Sequence, residues 1–279
     1  MLNLLSTTFT AKELFGLSLK IKNTMQPHSF YIPVMGIAFT IDTPIRVAHL
    51  GIDSVISIVD DGLIETVRSY YAKHFQLPFS PIAAQEEDAR ARRITAYLDM
   101  VKEITERKFN QLFTENPLEG AGQYLRLLPE KAKNAQQAFK DWVQEVKNTA
   151  NIGSIDVNIM TKLDKMNYKA GQDLDRIYND AHAALRGFAE SKLNSRIILS
   201  AGLNPALFAY MQQFDAFYPD EKGRIEKKIV LKVSDYRSAL IQGKYLAKNG
   251  LWVSQFRIES GLNCGGHAFA TDGLLMGPI

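Results

Sequence analysis

The densest group of chemically able residues is Glu259-Ser-Gly-Leu-Asn-Cys-Gly-Gly-His267. Gly265 and Gly266 carry no Cβ, so their N–H groups can approach an anion or the polar edge of a ligand closely. His267 can take or give a proton near neutral pH. A turn that holds a histidine incidentally is the alternative. Lys232 lies in the apolar run Val230-Leu-Lys-Val233, where an ammonium is costly unless it emerges at a strand end or meets an anion such as phosphate. Snorkelling to the strand end would also satisfy it. Asn158, in Ile155-Asp-Val-Asn-Ile159, needs partners for two donors and an acceptor, supplied by a ligand or by a structural hydrogen bond.

These residues need elements to position them. Short apolar, β-branched runs recur at residues 30–39, 54–59, 155–160, 196–201, 228–233 and 252–258. Each is nearly continuous rather than alternating, as expected of strands buried on both faces of a parallel sheet. Helix-period segments lie between them: residues 44–50 before Gly51, the set Leu174, Ile177, Ala181, Ala184, Leu185 and Phe188, and residues 236–247 before Asn249-Gly250. Thr10 to Glu13 fits a capping box, with Gly16 as a stop. Strand and helix alternate, which predicts an α/β fold with parallel strands and right-handed crossovers. Asn158, Lys232 and the 259–267 loop then fall at the ends of the third, fifth and sixth strands, and in a parallel barrel those ends form the catalytic face.

Residues 64–151 break the rhythm with no convincing strand and two strong helical patterns, 86–113 and 131–148. The chain accordingly divides into 1–63 (a helix and two strands), a helical insertion at 64–151, and 152–279 with four strands and the loop that carries His267. Arg90, Arg92 and Arg93 in the first insertion helix suggest either an anion patch or a solvated face paired with Glu86, Glu87 and Asp88. The near-neutral total favours the second.

Of 279 residues, 46% are hydrophobic and 23% charged, which excludes disorder and fibrous classes. Thirty-three basic residues against thirty acidic ones leave +3, too small a bias for a nucleic-acid or anionic-membrane partner. The single cysteine, Cys264, excludes an internal disulfide and any multi-cysteine metal cage, so no metal is expected and a reducing, cytoplasmic setting is. No run is apolar and long enough to span a bilayer, and the first twenty residues lack the pattern of a signal peptide.

In their order the motifs resemble the nitronate monooxygenase (2-nitropropane dioxygenase) family of FMN-dependent barrels, kin of the flavin enoyl-ACP reductases. The residues that carry the resemblance are Ile32-Pro-Val-Met-Gly36, Asp156-Val-Asn158, Ala201-Gly-Leu-Asn-Pro205, the lysine-bearing strand running into Ser234-Asp-Tyr-Arg-Ser-Ala239, and Cys264-Gly-Gly-His267. It covers roughly residues 30–59 and 154–269 and leaves the insertion unexplained. The resemblance implies a (β/α) TIM-like barrel holding FMN, with His267 as the active-site base. It implies that Met35, Gly36, Asn158, Lys232, Gly265 and Gly266 contact the flavin, and that Cys264 is a small buried neighbour.

Two departures accompany it. Ser260 stands where relatives often carry an acid, and only Ala268 to Ile279 follow His267, too few residues for the last two strands and helices of a barrel. A longer gene product, a second subunit that closes the barrel, or an open sheet would each account for this. The implied reaction is oxidation of alkyl nitronates or related small molecules. One alternative is an NAD(P)H-dependent reductase of enoyl thioesters. Two others come from different classes: a non-catalytic interaction module built on the insertion, and a flavin-free phosphate-binding barrel.

Overall fold

The computed structural model describes residues 41–58, 60–114, 141, 148, 150–159, 164–169, 171–199 and 203–258. The expected strand at 30–39, the capping box at Thr10 and the helix at 131–148 lie wholly or almost wholly outside them, as do Met35, Gly36 and everything from Glu259 onward.

Five parallel strands form one sheet: β1 (Ser54–Ile58), β2 (Ile155–Ile159), β5 (Ser195–Leu199), β6 (Lys227–Val233) and β7 (Val253–Ile258), ordered β1-β2-β5-β6-β7. They match five of the expected runs to within two residues at either end. A two-residue hairpin, β3 (Tyr168–Lys169) with β4 (Gln172–Asp173), stands apart and was not anticipated. Neighbours in the sheet are also neighbours in sequence, and every crossover packs its helices on the same side, as winding in a single hand requires.

Between β1 and β2 lie α2 (Asp61–His74) and α3 (Ala89–Thr114); α1 (Thr43–Val47) precedes β1. The Asp60 carboxylate caps α2 by accepting from the N–H groups of Gly62 and Leu63. α3 starts three residues later than the acidic run predicts, because Asp88 has φ 51 and so cannot belong to a helix. α4 (Asp180–Glu190) follows β2, α5 (Pro205–Met211) follows β5, and α6 (Tyr236–Lys248) follows β6 behind an Asp235–Ser238 capping box. Leu174 and Ile177, expected on the α4 face, fall before that helix, where Asp175 caps a short 3-10 turn.

The sheet has two unlike faces. Ile56, Ile58, Val157, Ile159, Ile197, Leu199, Ile229 and Leu231 point into the helix layer and form the main core with Ile94, Tyr97, Leu98 and Val101 of α3 and Leu185 and Phe188 of α4. The alternate residues face the other side, where Val55, Ile198 and Val230 make a separate small cluster. That second face is concave. Arg257 on β7 reaches Asp156 on β2 at 3.2 Å over two intervening strands. In a flat sheet, three strand steps and the register offset would separate their backbones by roughly 19 Å, beyond the combined span of the two side chains. The sheet therefore coils along the β2-to-β7 diagonal. Among the described residues no helix is long and apolar enough to cross a membrane.

The tightest approach in the helix layer is between α3 and α4. A Cβ on Gly187 would lie 2.5 Å from the Ala91 carbonyl oxygen and 2.9 Å from Ile94 Cβ. Gly187→Ala should therefore lower stability by about 1–3 kcal/mol, against the usual gain of alanine in a helix. A urea midpoint that falls with an unchanged slope is the expected result, and an unchanged or raised midpoint would refute the close packing.

Candidate functional site

The concave face brings together residues from all five strands. Ser57, Asn158, Ile198, Lys232 and Arg257 are each the penultimate residue of a strand, and strand alternation puts all five on the concave side. Register reinforces the grouping: Ser57 is the Cα partner of Asn158, Asn158 of Ile198, and Lys232 of Arg257. The carboxyl ends of parallel strands are where ligands bind in α/β folds. Asn158 and Lys232 thus stand on one rim, whereas Met35, Gly36, Cys264, Gly265, Gly266 and His267 lie outside the described residues.

Beneath the rim is a charged layer that the sequence reading did not anticipate. Asp156, fully buried, accepts from Arg196 Nε at 2.5 Å and from Arg257 Nη2 at 3.2 Å. Arg196 also donates to Ser154 Oγ at 2.5 Å and comes within 4.0 Å of Asp53. One visible signal was charges of opposite sign at matching alternation in otherwise apolar runs: Asp156, Arg196, Lys232 and Arg257. Isolated strands do not tell which of these charges meet, since that depends on sheet order and coil.

Two rim groups carry hydrogen-bonding capacity that no described residue uses. Ser57 Oγ is buried, in a residue 2% exposed, and has no partner. The Asn158 amide forms no hydrogen bond with any described residue. Buried polar groups are ordinarily satisfied, so the Ser57 hydroxyl is a candidate ligand contact, while the half-buried Asn158 amide can meet solvent or a ligand. With the apolar patch of Val55, Ile198 and Val230, the rim offers a floor for a flat ring, hydrogen-bonding groups over β1 and β2, and cations over β6 and β7.

Two other clusters are structural. His182 Nδ1 sits 2.7 Å from Asp164, but the same carboxylate accepts the Ala181 N–H at 2.9 Å and so ties the first turn of α4. Arg90 and Arg93 converge on Asp61 at 2.9 and 2.8 Å, and Arg92 pairs with Glu86 at 2.7 Å. The expectation of arginines paired with acids holds, with two corrections. Arg90 and Arg93 are largely buried rather than solvated, and their partner comes from α2. Because Asp60 starts α2, Asp61 projects from its first turn toward the beginning of α3.

The chain matches no protein-family model and no curated protein sequence.

Two stability experiments follow from these charges. Asp156→Asn removes the buried carboxylate that two guanidiniums share, and should cost about 3–5 kcal/mol in chemical denaturation; a loss under about 1 kcal/mol would show the layer to be dispensable. For Asp61, burial pushes the carboxyl up but is outweighed by hydrogen bonds and charge from Arg93 and Arg90, which hold it below its ordinary 3.8. A depressed carboxyl contributes stability above the unfolded value that is lost as pH falls through the folded one. Asp61→Asn should therefore be less stable than the parent at pH 7 by about 2 kcal/mol, the gap closing below about pH 4. A gap independent of pH would rule out the ion network as its source.

Proposed function

We propose that the chain is an FMN-dependent oxidoreductase of the nitronate monooxygenase kind, with a parallel barrel-like sheet whose concave rim holds the flavin. One observation carries the reading. Asn158 and Lys232, each implied as a flavin contact by resemblance, lie on the same face at the penultimate positions of β2 and β6. The sequence places both at strand ends, and strand alternation puts them on one face.

The residues present fit such a group. Val55, Ile198 and Val230 offer a buried apolar surface for a ring, the Asn158 amide can pair with its polar edge, and Lys232 brings a cation for its anionic arm. When bound, FMN supplies the electron-transfer chemistry that no side chain can. The chain's own residues bind and orient it. His267 follows β7 by nine residues, and in this reading its imidazole removes the proton beside a nitro group. The buried Asp156–Arg196–Arg257 layer closes the floor, so Arg257 is held at the rim rather than left to swing.

The competing reaction within the same cofactor class is NAD(P)H-driven reduction of an enoyl thioester, since substrate choice belongs to the loops around the rim. The test uses the full chain loaded with FMN and desalted. It should retain a flavin spectrum, and His267→Ala should retain the flavin while losing turnover by about 10²–10⁴-fold. Oxygen consumption with a neutral nitroalkane, whose proton beside the nitro group His267 would remove to give the nitronate, identifies the favoured reaction, and NADH oxidation with an enoyl thioester identifies the competitor. Undiminished turnover in His267→Ala removes that residue from catalysis, and a colourless protein removes the flavin.

A further inference from the structure

We propose that Ser57 is a flavin-binding residue of this rim, its hydroxyl forming a hydrogen bond to the polar edge of the ring next to Asn158. The inference rests on the flavin reading above and adds a residue that no motif marked.

Ser57 Oγ is buried and unpartnered at the penultimate position of β1. Its Cα partner across the strand pair is Asn158, and it shares the concave face with Val55. A hydroxyl in that state loses its hydration without replacement, which costs stability in the free protein. Threonine-free, apolar alternatives such as alanine or valine would fit a buried strand position without that cost.

Two other serines on the sheet have unpartnered buried hydroxyls, Ser54 and Ser195. They begin β1 and β5, at the opposite end from the rim, and share the helix-facing side with Ile56 and Ile197. Ser57 alone of the three stands at the carboxyl end, on the concave side, beside an amide that makes no hydrogen bond with a described residue. A serine hydroxyl is one donor and two acceptors, and an asparagine amide offers both kinds. Adjacent on neighbouring strands, the pair presents alternating donors and acceptors. The carbonyl and N–H groups along the pyrimidine edge of a flavin present the complementary series.

The test compares three full-length proteins: wild type, Ser57→Ala and Ser54→Ala. FMN affinity is read from quenching of flavin fluorescence, and the thermal midpoint is read without flavin. Ser57→Ala should weaken FMN about tenfold while its flavin-free midpoint equals or exceeds that of wild type, since an unsatisfied hydroxyl has gone. Ser54→Ala should leave affinity unchanged. Wild-type affinity in Ser57→Ala, or weakened binding accompanied by a lowered flavin-free midpoint, overturns the assignment while leaving the flavin reading standing. Absence of FMN binding by the wild-type protein overturns both.

Discussion

The concave face depends on one buried carboxylate. Asp156 has no exposed surface and meets guanidiniums from β5 and β7, so a charge that would be prohibitive alone is compensated on both sides. The consequence reaches beyond local energy. Parallel strands have no hairpin to set their register, so the alternation of apolar residues must do it. Here that alternation is weakly informative, because both faces of the sheet are largely buried. A one-residue slip of β2 would carry Asp156 into the helix-facing core and away from both arginines. The ion layer thus penalises the alternatives that apolar patterning leaves cheap, and it binds β2, β5 and β7 into one coil.

The helix-facing side follows another rule. It is largely apolar, and Lys227, a cation with no exposed surface, is fully coordinated. Lys227 Nζ donates to the Ser191 carbonyl at 2.7 Å, to Ser191 Oγ at 3.0 Å and to the Leu193 carbonyl at 2.5 Å, over the ring of Phe188. Ser191 is the C-cap of α4, so the ammonium sits where the helix leaves its carbonyls open and where positive charge is favoured. Burial pushes its pKa down to about 8, a cost tolerated at the foot of the sheet because three oxygens face it. Lys227 is therefore a structural lysine, although it belongs to the same strand as Lys232 and differs from it by five positions and one face.

How far the sequence could be read follows from which forces are local. The β-branched runs at 54–59, 155–160, 196–201, 228–233 and 252–258 report burial on both faces, and all five became neighbouring parallel strands. The helix stops at Gly51 and Asn249-Gly250 are likewise local, and the structure places helix boundaries there. Misreadings arose where a long-range partner decides. Asp88 looks like a helix-starting acid, but it adopts a left-handed φ and pairs instead with Arg186 on α4. Arg68 interrupts the buried face of α2, where its charge is absorbed by Glu65 and the Ser80 carbonyl, partners the local pattern does not show. Of the candidate site, Asn158 and Lys232 were legible as polar residues in apolar strands. Asp156, Arg196 and Ser57 were not, because only the coil of the sheet shows which of them meet and which stay unpaired.

The rim is chemically lopsided, and that bears on what it can hold. Over β1 and β2 it presents neutral hydrogen-bonding groups, Ser57 and Asn158; over β6 and β7 it presents Lys232 beside Arg257. Opposed on neighbouring strands, these like charges repel, and Asp156 meets Arg257 together with Arg196. The arrangement differs from that on the helix side, where α2 sets Asp61 between Arg90 and Arg93. A ligand with a neutral, hydrogen-bonding ring at one end and an anionic group at the other would match the two halves in a single orientation, which a symmetric rim could not enforce.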